Sequence, residues 1–166
     1  MAYYFAYGSN MNPARVAARI GATRAVLAGR LDNHELRFDK ASSVPGIAHA
    51  NVAARSGIHV EGALYELESP DQIQLMDPFE GVPHHYFRQQ HPILTERGVI
   101  EAWVYIAHPG QTRAALRPAR EYLEHLLAGK AFLSDEYYTR LAAVDAVEGL
   151  EDTLLTMLGL SRHSPR

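Results

Sequence analysis

Cysteine is absent from this chain of 166 residues. Its absence excludes disulfide staples, thiolate metal sites and a cysteine nucleophile together. Long apolar runs are missing too: nothing approaches the roughly 18 residues that a membrane-crossing helix needs. The opening MAYYFAYGSN has no basic start and is broken by Gly8, so no secretory leader is expected and the chain reads as cytoplasmic. Clustered positive charge is the third absence. Lys and Arg together number 16 against 19 Asp and Glu, a formal net charge of −3, and no basic stripe offers itself to nucleic acid or to an anionic membrane. Repeats, low-complexity tracts and linkers are lacking as well, so one folded domain is the expectation. Hydrophobic residues at 47% and charged residues at 21% are ordinary for a globular protein. Any chemistry therefore falls to carboxylates, histidines, hydroxyls or backbone groups.

Along the chain, Ala2 to Ala6 reads as a short aromatic-rich strand ending in a tight turn at Gly8. Asn12 as N-cap and Pro13 in the first turn predict a helix with Val16, Ala17 and Ile20 on one face, stopped by Gly21. Two apolar runs between Ala25 and Asp39 flank Asp32-Asn33, which reads as a hairpin turn, and residues 40 to 57 read as a loop. Alternation from Ile58 to Leu67 predicts a strand with a buried face. Ser69, Pro70 and Gln72 have the form of a capping box opening a short helix that Pro78 ends. Residues 85 to 94 and 99 to 106 predict two more strands, and helices are expected from Pro118 to Ala128 and after Ser134. The tail beyond Gly159 is polar and expected to fray. Five or six strands with helices set between them argue an α+β or partly closed barrel fold rather than a doubly wound sheet.

Tyr7-Gly8-Ser9-Asn10 lies between the first strand and the first helix, where unpaired N–H groups and the helix dipole favour negative charge. Gly8 admits close approach of the backbone, and Ser9 and Asn10 add side-chain donors. The loop thus suits a carboxylate, a phosphate or a developing oxyanion, although plain turn and capping residues look the same. Glu80 stands between Phe79 and Val82 in a segment bounded by Pro78 and Pro83. Apolar neighbours there can strip it of water and raise its pKa, as a general base near neutral pH requires, while an exposed loop glutamate is the plainer alternative. The nine histidines are densest at His84, His85 and His91. On one strand, however, His85 and His91 would stand about 20 Å apart, and no H-x-H or HExxH spacing occurs, so no metal is expected. Ser9 lacks the G-x-S-x-G setting of a hydrolase nucleophile, and no Walker-type or G-x-G-x-x-G loop is present.

Taken together, Tyr4-Phe5-Ala6-Tyr7-Gly8-Ser9-Asn10-Met11 resembles the Y-G-S-N opening of the gamma-glutamylcyclotransferase-like (AIG2-like) family. That family continues with a D-x-x-E-G-V-type segment and a tyrosine a few residues on, matched by Asp77-Pro78-Phe79-Glu80-Gly81-Val82 and Tyr86. A later helix carries a tyrosine seven residues before a glycine, matched by Tyr122 and Gly129, and Ser134 to Leu141 fits the final helix. The resemblance covers about residues 3 to 145. It implies a mixed β-barrel of about six strands with flanking helices over residues 1–145, whereas residues 146–166, a C-terminal helical extension and polar tail, find no match in the family and read as a dimer element or a lid.

The family's activity is intramolecular aminolysis of a γ-glutamyl amide, which gives 5-oxoproline and the free amine without a cofactor. Carried to this chain, Glu80 is the general base and acid, Tyr7, Gly8, Ser9 and Asn10 hold the γ-glutamyl group, and Tyr86 and Tyr122 line the pocket. The implied partner is a small γ-glutamyl compound, a homodimer is compatible, and Ser9 with Asn10 resembles the amino-acid branch best. The rival is a non-catalytic AIG2-like module retaining a small carboxylate or γ-glutamyl ligand. Glu80 discriminates between them, because a carboxylate repels an anionic ligand whereas cyclisation needs a base.

Overall fold

In the computed structural model, which describes residues 1–161, the short strand β1 (Tyr3–Ala6) is the keystone of the sheet. It pairs antiparallel with β3 (Ile47–Glu66) on one side and parallel with β5 (Gly98–Ala107) on the other. Tyr4, Phe5 and Ala6 are buried accordingly. β5 pairs with β4 (Tyr86–Thr95), β4 meets β2 (Ala25–Ala41), and β2 runs antiparallel to β3. The β1–β3 pairing closes this ring into a mixed barrel of five strands, and β6 (Arg117–Pro118) adds outside on β3. Gly62 makes the closure possible, since a Cβ there would collide with the Ala6 carbonyl oxygen.

Asp32-Asn33 is not a hairpin turn. β2 runs straight through it, with Asn33 in the left-handed region (φ 60°) and its side-chain carbonyl accepting the Gly57 N–H (3.1 Å). Asn tolerates that conformation, so the pair makes an irregularity in a long strand. Nor are residues 40 to 57 a loop: β2 reaches Ala41, β3 begins at Ile47, and only the short connection between them is irregular. Ile47, Ala48, Ala50 and Val52 are buried. The run is alanine-rich and buried on both faces in part, which hides the alternation that marks a strand.

The segment after β3 is also rearranged. Ser69 makes no side-chain cap, and Gln72 serves tertiary structure, donating to the Ile20 and Ala22 carbonyls and accepting from the Glu68 N–H. Pro78 lies in the first turn of a helix instead of ending one. Other helices follow their caps. The Asn12 side chain accepts the Ala14 N–H at the head of α1 (Pro13–Ile20), and Ser134 Oγ accepts the Tyr137 N–H before the helix Asp135–Ala142. Numbered in chain order, α2 is Asp77–Glu80, α3 is Arg120–Leu127, α4 is Asp135–Ala142 and α5 is Asp152–Met157. Leu155, Leu158 and Leu160 join the main core, so the chain stays packed past Gly159; the rest of the tail beyond Ser161 lies outside the described residues. Among the described residues no helix is long and apolar enough to cross a membrane.

Candidate active site

A cavity of about 310 Å³ is lined by Tyr7, Gly8, Ser9, Asn10, Glu80, Tyr86 and Tyr122 together. These residues come from the end of β1, from α2, from the start of β4 and from α3. The volume suits a small ligand.

Ser9–Met11 forms one 3-10 turn, closed by the Met11 N–H on the Gly8 carbonyl (3.0 Å) and the Asn12 N–H on the Ser9 carbonyl (3.3 Å). The leading N–H groups of such a turn have no partner inside it. The helix dipole invoked from sequence is a lesser factor, because α1 begins later, is capped by Asn12, and sends only Arg15 and Arg19 to the cavity. Ser9 Oγ accepts from Arg15 Nε (3.2 Å), which leaves the hydroxyl proton able to donate. Asn10 differs from its expected part as a free donor. Its Nδ2 donates to Tyr4 Oη (2.9 Å) and Met76 Sδ (3.4 Å), its Oδ1 accepts from Arg19 (3.4 Å), and its carbonyl accepts the Tyr65 hydroxyl (2.6 Å). The side chain pins the turn.

Gly8 has negative φ (−111°), so space and not backbone freedom explains it. A Cβ would stand 3.0 Å from Tyr122 Oη and 3.3 Å from Ala50 Cβ. Tyr122 Oη also accepts the Ala50 N–H (2.9 Å), and the Tyr86 hydroxyl donates to the Ala50 carbonyl (2.6 Å), so both tyrosines are anchored on β3.

Glu80 ends the single turn α2. Asp77, at the start of that turn, accepts two hydrogen bonds from Arg88 (2.9 and 3.1 Å) and one from the Tyr105 hydroxyl (2.7 Å). Arg88 in turn lies 4.3 Å over the Trp103 ring. Gly81 adopts the left-handed conformation (φ 64°) that stops the turn and starts the return toward β4. Burial pushes the Glu80 carboxyl above its ordinary value; the charges of Arg19, Arg15 and Lys40 oppose this and Asp77 adds to it. Phe79, next to it, is 51% exposed, and the tyrosines that share the cavity with Glu80 are buried. Tyr4 and Tyr7 are themselves held protonated, first by burial and then by the Glu80 charge.

Sequence reasoning missed Arg15, Arg19, His49 and the C-terminal wall Met157-Leu158-Gly159. The two arginines stand one helical turn apart just after the loop, and that spacing was the available signal. Arg15 bridges Ser9 to the Gly159 carbonyl (3.1 Å), tying the loop to the segment after α5. His49 packs 5.2 Å from the Tyr122 ring; burial, aided by the charges of Lys40, Arg15 and Arg19, lowers its pKa to about 4 and keeps it neutral at pH 7. It was hidden in the stretch read as a loop. Among the described residues no group of three His, Asp or Glu is placed to hold a metal ion.

The cavity thus combines a proton acceptor of raised pKa, a hydroxyl, the backbone of the Ser9 turn and two guanidinium groups, a set suited to a small zwitterion that must lose a proton. The model of the gamma-glutamyl cyclotransferase, AIG2-like family matches residues 4–125, which include the loop, Glu80 and both anchored tyrosines. The chain belongs to that family. No curated protein sequence matches it. Solved structures share the cyclotransferase-family fold: an uncharacterized protein from Homo sapiens (TM-score 0.78, 21% identity, 95% of this chain and 98% of that one) and a gamma-glutamyl cyclotransferase (0.78, 20%, 95% and 98%). A glutathione-specific γ-glutamyl cyclotransferase from yeast is more distant (0.60, 13%, 98% and 97%). The family match ends before the C-terminal wall of the cavity.

Proposed function

We propose that the chain is a γ-glutamyl cyclotransferase acting on a γ-glutamyl amino acid or a related γ-glutamylamine. Glu80 takes a proton from the substrate's α-ammonium, and the freed amine attacks the γ-carbonyl carbon to close a five-membered ring. Negative charge builds on the carbonyl oxygen, where the N–H groups of the Gly8 to Asn10 turn and the Ser9 hydroxyl can stabilise it. Glu80 then returns its proton to the amide nitrogen, the C–N bond breaks, and the ring nitrogen gives its second proton to the departing amine, so that 5-oxoproline and the amine, as its ammonium ion, leave. No cofactor is needed, because the substrate carries its own nucleophile. Tyr7, Tyr86 and Tyr122 wall the site, and Asn10 holds the turn in place.

The observation that carries this reading is the placement of Glu80, a carboxylate held by burial above its ordinary pKa, in the same cavity as the Ser9 turn. Arg15 and Arg19 also suit the rival, a module that binds a small carboxylate without turnover. Incubation with a panel of γ-glutamyl compounds separates the two. Release of 5-oxoproline that is lost in Glu80→Gln supports the enzyme, and tight binding with no product from any compound supports the module.

A further inference from the structure

The wall of the cavity is graded from buried to exposed. Phe5, Tyr7, Tyr86 and Tyr122 are 0–7% exposed, whereas Phe79 and Met157 line the same cavity and are 51% and 55% exposed. Those two side chains mark its mouth. They come from unrelated elements, α2 and the end of α5. Arg19, partly exposed, lies with its guanidinium 4.8 Å over the Phe79 ring. The two arginines are not equivalent. Arg15 is 3% exposed and bridged to Ser9 and Gly159, while Arg19 makes one long hydrogen bond, 3.4 Å to Asn10 Oδ1. A guanidinium has five N–H donors, so Arg19 retains capacity for a bidentate carboxylate.

Cyclisation orients the substrate. The α-ammonium must face Glu80 and the γ-carbonyl the Ser9 turn, so the glutamyl half fills the inner end and the amine half points to the mouth. We infer that the mouth selects that amine half: Arg19 binds its carboxylate while Phe79 and Met157 flank an apolar side chain, so apolar γ-glutamyl amino acids are preferred to γ-glutamylamines. This rests on the cyclotransferase reading. Arg19, Phe79 and Met157 are thereby specificity determinants, and Met157 lies beyond the family-matched segment.

The test uses γ-glutamyl-leucine, γ-glutamyl-isoamylamine, which is the same skeleton without the carboxylate, and γ-glutamyl-glycine. For 5-oxoproline release, the wild type should favour the leucine compound over the isoamylamine by about tenfold or more, the scale of one charge-assisted contact. Arg19→Met should lower kcat/KM for the leucine compound, mainly through KM, by about tenfold more than it lowers that for the isoamylamine. Arg19→Lys should recover part of the loss. Met157→Gln, which removes the apolar contact without adding a charge, should lower turnover of the leucine compound more than that of the glycine compound. Because Arg19 also touches Asn10 and the field at Glu80, any effect through those groups strikes both substrates equally, and only the ratio reports the mouth. Equal losses on the leucine and isoamylamine compounds in Arg19→Met would overturn the assignment. Calorimetric binding of the same pair to Glu80→Gln, with and without Arg19→Met, gives the ratio independently of turnover. Absence of 5-oxoproline from every compound with the wild type sinks the parent reading, whereas turnover with no binding preference sinks this one.

Discussion

The carboxyl of Glu80 is pulled two ways: burial favours the neutral acid, and Arg19, Arg15 and Lys40 favour the anion, with burial the stronger. In its proposed role as base Glu80 acts ionised, so the acid limb of kcat/KM against pH should titrate above the ordinary value of 4.5. Arg19→Met removes the largest opposing charge and should move that limb higher still. Glu80→Gln should lower turnover about 100-fold or more and erase the limb; a limb that persists in the residual activity would assign it to another group. The same shift has a stability consequence. The folded state holds the proton more tightly than the unfolded state, so this contribution is present at low pH and is lost as pH rises through the folded pKa. Glu80→Gln, neutral throughout, should melt above the wild type at neutral pH, with the gap closing in acid. Ser9→Ala removes one donor and leaves Arg15 Nε without its acceptor. It should cost about 1–3 kcal/mol of transition-state stabilisation, less than Glu80→Gln, since backbone donors remain. Gly8→Ala should harm turnover by pressing on the Tyr122 hydroxyl, which kinetics alongside an unchanged far-ultraviolet spectrum would reveal.

At the scale of elements, a four-residue helix has no stability of its own, and α2 depends on what grips it. Asp77 is that grip, through Arg88 and Tyr105. Asp77→Asn should keep a partner for Tyr105 but lose the paired charge, lowering kcat through a misplaced Glu80 and costing about 1–3 kcal/mol in stability; denaturant unfolding and kinetics on one sample would check both. Elements marked by local chemistry were legible: the strand and turn around Gly8, the caps Asn12 and Ser134, and the β4–β5 hairpin. The family pattern named Glu80, Tyr86 and Tyr122 together, and the fold brings them to one cavity, where their roles are those proposed above. What was not legible depends on distant partners. The Asp32-Asn33 pair carries a turn signature, yet pairing with β3 turns it into an irregularity within a strand. The Ser69 box goes unmade because Gln72 is held at the end of α1. Arg15 and Arg19 carry no signal beyond their spacing, because it is the closed barrel that brings them to the cavity, with the Gly159 carbonyl holding Arg15.

Across the whole molecule, closing the barrel drives into one cavity charges that lie far apart in sequence, and their titrations then act on global stability in opposite senses. Glu80 favours the folded state as pH falls. His49 does the reverse: its folded pKa of about 4 lies below the ordinary 6.5, so between those values the unfolded chain takes up a proton that the folded chain refuses. Its contribution is therefore full above pH 6.5, falls as pH drops, and is lost below about 4, a change on the order of 3 kcal/mol. The wild type blends the two effects, so a Glu80→Gln background isolates the second. In that background, urea unfolding from pH 7 to pH 4 should show a steeper loss of stability with His49 present than with His49→Gln, which keeps a polar side chain but does not titrate. Parallel stability curves for the two proteins would mean that His49 protonates in place, and that the cavity around Tyr122 and the two arginines admits its charge.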